Sequence, residues 1–200
     1  YLSAGPLFDG SAGVSVTFGP NPYALNGPGE KILTLKSNWE SCPNATSSTV
    51  LLRNAASPFA IVGTSTAFTG GNAVHPVSFT SAANGSAYYI VVKSVNSIET
   101  WSSSTVTFSG GSANYDFTTG LNKAYGSNQK LSGGIPSIYQ GDANQDGVVD
   151  QTDIVTLTYY DISNNTTSPS TDFNCDNTTD LTDLVLNYNN ASNFIQLLRP

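Results

Sequence analysis

The sequence predicts a mainly-β chain: an antiparallel β-sandwich over residues 1–137, then a small α-helical domain over residues 138–200 built on a duplicated acidic loop. Three observations predict it. Ser, Thr and Asn supply 26, 22 and 20 of the 200 residues, beside 18 Gly and 10 Pro, which suits short strands and frequent turns better than long helices. Apolar and polar residues alternate in short runs separated by turn clusters through the first two thirds of the chain. The acid is confined to the last third: residues 141–200 hold nine Asp against Arg199 alone, a net −8, while residues 1–140 carry a net +1.

Strands are expected at Val14–Phe18, Ile32–Leu35, Val77–Thr80, Tyr88–Lys93 and Thr105–Phe108, where side chains alternate with the period of a pleated strand. Turns are expected at Asn26-Gly27-Pro28-Gly29, Thr69-Gly70-Gly71-Asn72, Ala83-Asn84-Gly85-Ser86 and Ser109-Gly110-Gly111. Short alternating strands at this spacing argue for two packed antiparallel sheets. Residues 131–139, with Gly133-Gly134 and Pro136, read as a short linker that holds the two domains in a fixed relation.

The acidic third repeats itself with a shift of thirty residues. Asp142, Asn144, Asp146, Val148, Asp150 and Asp153 recur as Asp172, Asn174, Asp176, Thr178, Asp180 and Asp183. Side-chain oxygens thus fall at positions 1, 3, 5, 9 and 12 of a twelve-residue loop, with the backbone carbonyl of Val148 or Thr178 at position 7. Ca²⁺ takes roughly six to eight hard oxygen ligands at about 2.3–2.6 Å, and this spacing wraps a loop around one ion. Position 6 needs a sharp turn, which Gly147 and the left-handed-tolerant Asn177 supply. Both loops close on Asp where the usual bidentate ligand is Glu, so position 12 is expected to coordinate differently. An apolar run follows each loop, Ile154–Leu157 and Leu184–Leu186, as a short helix leaving the site would show. Two Ca²⁺ would bring the net charge of this third from −8 to about −4.

The run Gly141-Asp142-Ala143-Asn144-Gln145-Asp146-Gly147-Val148-Val149-Asp150, with its second copy thirty residues on, resembles a dockerin domain. That resemblance implies two calcium-loop-plus-helix halves packed with near two-fold symmetry. It also implies an extracellular bacterial surface or secreted protein. In dockerins that bind cohesins, positions 10 and 11 help choose the partner; here they are Gln151-Thr152 and Leu181-Thr182. The stretch from Gly85 to Phe108 resembles a late hairpin of fibronectin-III or prealbumin-like sandwiches, which implies an Ig-like fold and no chemistry.

Composition excludes several functions. Seven basic residues against fourteen acidic ones disfavour nucleic acid, whose binding rests on neutralised phosphates. No apolar run approaches the roughly 20 residues of a membrane span. The chain contains no Met, so it is expected to be a processed mature form that is soluble and secreted. Catalysis is not expected. His75 is the only histidine, and Glu40 with Glu99 is the nearest approach to a glycosidase carboxylate pair. Trp39, Trp101 and the tyrosines are expected in the core, with a sugar-stacking platform as the alternative. Cys42 and Cys175, one in each predicted domain, suit a disulfide in an oxidising compartment, within one chain or between neighbours.

Function is therefore expected in binding or assembly. The first expectation is a non-catalytic, calcium-stabilised subunit of a self-assembling extracellular fibre or surface layer. Residues 1–18 would serve as a donated strand, or the apolar tail Phe194–Leu198 would fill a neighbour's groove. The alternatives are a dockerin-type adaptor for a cohesin-like partner and a carbohydrate-binding or adhesive module.

Overall fold

The computed structural model describes residues 29–200. The strand expected at Val14–Phe18, and the donated strand expected within residues 1–18, lie outside them. Ten strands, two α-helices and short 3₁₀ turns follow in chain order, so the chain is mainly β as expected.

Two sheets face each other. In the first, β1 (Lys31–Ser37) lies between β4 (Ala73–Phe79) and β8 (Ser112–Asp116). In the second, β2 (Ala45–Asn54) lies between β3 (Ile61–Gly70) and β5 (Ala87–Lys93), and β5 also pairs with the short strands β6 (Thr100–Trp101) and β7 (Val106–Thr107). All these pairs are antiparallel except β1 with β8, which is parallel. The exception arises because the chain crosses the second sheet before β8 returns to the first.

Alternation along the strands builds the core. Leu33 and Leu35 of β1, Val50 and Leu52 of β2, and Ile90 and Val92 of β5 are all buried between the sheets, where Phe79, Phe108 and Phe117 join them. The second sheet is also covered behind. Leu51, Val91 and Trp101 form a smaller cluster on its outer face under Phe59, Tyr125 and Leu197. This explains why Tyr88–Val92 reads as an almost unbroken apolar run, because that strand is buried on both faces. The two longest strands, β2 and β3, are absent from the sequence expectation. Their Ser and Thr residues blur the alternation, although β-branched Thr suits a pleated surface.

The turn at Thr69–Asn72 forms where expected, with Gly70, Gly71 and Asn72 all at positive φ (93°, 62° and 52°). Gly70 meets a second demand: a Cβ there would run into the Trp39 indole, whose Nε1 donates to the Thr69 carbonyl at 2.9 Å.

Where the sequence reads as a linker, the chain makes a hairpin. Strands β9 (Lys130–Ser132) and β10 (Ile135–Ser137) are joined by Gly133 and Gly134 at φ 56° and 83°. The glycines turn the chain back on itself, as a two-residue hairpin turn with positive φ at both centres requires. Beyond it, Ile138 enters the sandwich core and its backbone bonds to Asn38 and Glu40.

Residues 141–200 form two acidic loops, each followed by a helix. After the first loop, Thr152–Thr158 winds as a π-helix and continues into α1 (Tyr159–Asn164); after the second comes α2 (Leu181–Ser192). Thr158 Oγ1 donates to the Asp153 carbonyl five residues back and accepts from Asn187 Nδ2, tying the first helical segment to α2. Part of the tail is held at home, while Phe194 at its start stays exposed. Val149 N donates to the Ile195 carbonyl and Leu197 N to the Gly147 carbonyl, at 2.9 and 2.8 Å. Leu197 then packs on the cluster around Trp101. Burying Leu197 at home outweighs leaving it in water.

Candidate metal centre

The two loops are wound by the same hydrogen bonds, thirty residues apart. At position 1, Asp142 Oδ2 accepts from Gly147 N (3.1 Å) and Asp172 Oδ2 from Asn177 N (2.9 Å). At position 3, Asn144 Oδ1 and Asn174 Oδ1 each accept from the backbone N of position 5 at 2.9 Å. At position 5, Asp146 Oδ1 and Asp176 Oδ1 accept from the N–H of Val148 and Thr178, at 3.0 and 2.9 Å. Such bonds from short polar side chains to nearby backbone curl a chain without secondary structure.

Position 12 has its own role. Asp153 Oδ1 accepts from the backbone N of Ala143 and Asn144, and its Oδ2 from Asp150 N. Asp183 repeats this with Phe173, Asn174 and Asp180. These two carboxylates staple the end of each loop to its beginning. Asp180 and Asp183 also form the capping box of α2, so the second loop and its helix are fixed by the same residues. In each loop, positions 4 and 6 take positive φ: Gln145 (61°) and Gly147 (92°), then Cys175 (61°) and Asn177 (68°).

Burial works against the charge of three loop carboxylates. Asp142 is almost completely buried, and its Oδ1 has no hydrogen-bond partner. Burial pushes its carboxyl up to about 6; the charges of Asp153 and Asp146 add to the rise, and the Gly147 N–H and Lys93 oppose it. Burial likewise raises Asp153 and Asp183, against the N–H bonds each receives from its loop. Among the described residues no group of three His, Cys, Asp or Glu side chains is gathered as a metal site; the loops combine carboxylates with amide and backbone oxygens. That all-oxygen set, with a buried unpartnered carboxylate oxygen at position 1 of the first loop, fits a hard divalent cation such as Ca²⁺; in the second loop both Asp172 oxygens accept backbone N–H bonds. Asp142, Asn144, Asp146, Asp150, Asp153 and the Val148 carbonyl would hold one ion, and Asp172, Asn174, Asp176, Asp180, Asp183 and the Thr178 carbonyl the other. The ion would add positive charge beside that of Lys93, which acts on Asp142.

No family model matches the chain, and no curated protein matches it. One solved structure does: a chain of a type II cohesin–X-dockerin complex, an N-terminal interface mutant from Acetivibrio cellulolyticus. It is 13% identical, covers 82% of this chain and 97% of that one, and has a TM-score of 0.45. A likeness this distant bears on neither family nor function.

Position 4 of each loop reaches the sandwich. Cys175 is joined to Cys42. Gln145 Nε2 donates to the Ser97 carbonyl at 3.2 Å, and to Asp142 O within its own loop at 2.6 Å. Between these tethers lies a buried polar seam. Glu40 Oε1 pairs with Lys130 Nζ at 2.5 Å, while its Oε2 accepts from Asn190 Nδ2 (2.6 Å) and Gln140 N (3.1 Å). Gln140 Oε1 accepts from the N–H of Ser41 and Cys42, and its Nε2 donates to Asn96 Oδ1. Asn96 Nδ2 in turn donates to the carbonyl of Asp172, the first residue of the second loop. Sequence reasoning missed this seam, because partners 44 to 150 residues apart leave no local pattern.

The remaining candidates have structural partners. Glu99 Oε1 accepts from Trp101 Nε1 at 2.8 Å, and His75 Nε2 lies 3.1 Å from the Gly70 carbonyl. Trp39 and Trp101 are buried in the two clusters, so neither offers a face on which a sugar could stack.

Proposed function

We propose that this chain is a non-catalytic, calcium-stabilised subunit of an extracellular assembly, a fibre or surface layer. One observation carries the reading. Among the described residues, the two helical segments leave a continuous apolar face exposed, with Val155, Tyr159, Val185 and Tyr188 each more exposed than not or nearly so (48%, 55%, 58% and 61%). Apolar patches of this kind mark protein contacts. Calcium would hold both loops, and through them the two helices and their face, in one geometry. The covalent and polar ties to the sandwich give that face a fixed direction, as a repeating contact requires.

The test is negative-stain electron microscopy and sedimentation of the purified chain in millimolar calcium and again in EDTA. Fibres or large particles that form only with calcium support the reading. A uniform monomer in both conditions refutes it and favours the adaptor reading, in which the same face meets a cohesin-like partner.

A further inference from the structure

Resting on the calcium reading of the loops, we infer that the second loop is a redox-linked calcium site, with Cys42 of the sandwich as its positioning residue. Opening the Cys42–Cys175 disulfide weakens that loop for calcium and leaves the first loop unchanged. Cys175 is position 4 of its loop, between Asn174 and Asp176 at positions 3 and 5. Those neighbours bond to each other across it: Asn174 Oδ1 accepts from Asp176 N and its Nδ2 donates to Asp176 Oδ2, both at 2.9 Å. The disulfide therefore pins the residue that carries a candidate ligand on either side.

The first loop is the internal comparison. Its position 4 residue, Gln145, takes the same left-handed φ of 61° as Cys175, a region that few residues other than glycine enter. Gln145 Nε2 donates to the Asp142 carbonyl of its own loop at 2.6 Å, and reaches the sandwich by a hydrogen bond to the Ser97 carbonyl at 3.2 Å. A cysteine has no amide to make such bonds, and in the second loop the covalent link stands in their place. Its far end is firm. Cys42 is 1% exposed in the sandwich core, and its N–H is held by Gln140 Oε1. Asn96 Nδ2 fixes position 1 of the same loop through the Asp172 carbonyl at 2.9 Å. The disulfide and an ion would order the same residues, so each lowers the ordering cost the other must offset. Such coupling is reciprocal: what the disulfide adds to calcium affinity, calcium adds to the stability of the disulfide.

The bond can be reached. Cys175 is half-buried and lines an open depression of about 470 Å³ with Ser94, Asn96 and Pro169. A dithiol reductant entering there attacks the Cys175 sulfur as a thiolate, and Cys42 leaves as a thiolate that takes up a proton. The second thiol of the reductant then displaces Cys175. The chain ends with two thiols, having gained two electrons and two protons, and the reductant leaves as a disulfide.

The experiment uses the full chain as two single variants, Asp146→Ala, which keeps the second loop intact, and Asp176→Ala, which keeps the first. Each is titrated with calcium by calorimetry, oxidised and after reduction with dithiothreitol. Reduction is expected to weaken calcium at least about fivefold in Asp146→Ala and by less than about twofold in Asp176→Ala. Equal loss in both, or loss in neither, overturns the inference. A second measurement starts from the oxidised protein, so it stands even where the reduced module loosens. Each variant is equilibrated with mixtures of reduced and oxidised dithiothreitol, with and without calcium, and its thiols are trapped and counted by mass spectrometry. Calcium is expected to favour the disulfide by the same factor in Asp146→Ala and to leave the balance unmoved in Asp176→Ala. A shift of equal size in both, or in neither, also overturns it. Failure of the oxidised, unsubstituted chain to bind calcium defeats the calcium reading itself.

Discussion

Replacing Asn190 by Ala tests whether the polar seam joins the two halves of the chain. Asn190 is 1% exposed, and its Nδ2 is shared between Glu40 Oε2 at 2.6 Å and the Gln140 carbonyl at 2.8 Å. Truncation takes a donor from a buried carboxylate, at a cost of about 1.5–3 kcal/mol, and from a buried carbonyl, at about 1 kcal/mol. Lys130 and Gln140 N continue to hold Glu40, so the charge is not abandoned and the lower half of the range applies. The expected loss is about 3 kcal/mol, or a fall of roughly 6–12 °C in Tm for a chain of this size. Asn189, the exposed neighbour on α2, provides the control: Asn189→Ala changes helix propensity in the same way and touches no seam residue. Urea denaturation in calcium, followed by tryptophan fluorescence and by far-ultraviolet circular dichroism, measures both variants. If Asn190→Ala costs no more than Asn189→Ala within about 0.5 kcal/mol, the seam contributes nothing and the reasoning fails.

Asp146→Ala combined with Asp176→Ala removes the position 5 carboxylate from each loop and is expected to abolish binding of two Ca²⁺ per chain, read by isothermal titration calorimetry and metal analysis; two ions retained would count against the ligand assignment. Cys42→Ser with Cys175→Ser opens a link between residues 133 apart. By loop-closure entropy it is expected to cost up to about 5 kcal/mol, measured by denaturation under non-reducing conditions. A loss below about 1 kcal/mol would mean that the seam and tail alone hold the module in place.

Much of the candidate site was legible in the sequence because a loop of this kind is local. Its oxygens sit at fixed offsets along twelve residues, and a thirty-residue repeat makes the pattern stand out from ordinary Asp- and Asn-rich turns. The turn at Gly70-Gly71-Asn72 was legible for the same reason, since positive φ is a demand that few residues meet. Strands β2 and β3 were not. Their Ser and Thr side chains are polar by composition and strand-forming by shape, and packing against β5 resolved the ambiguity.

The sequence alone determined the fold class, the duplicated loops and the oxygen chemistry they offer, because each depends on short-range period and spacing. Only the tertiary structure decided what the acidic module is attached to. It placed Gln145 and Cys175, equivalent in the repeat, on two different parts of the sandwich, and gathered Glu40, Lys130, Gln140 and Asn190 into one buried seam. It also folded the apolar tail back onto Val149 and Trp101 while leaving Val155, Val185 and Tyr188 uncovered. Which apolar side chains a fold buries depends on contacts between distant segments, and those are set by the closure of the whole chain.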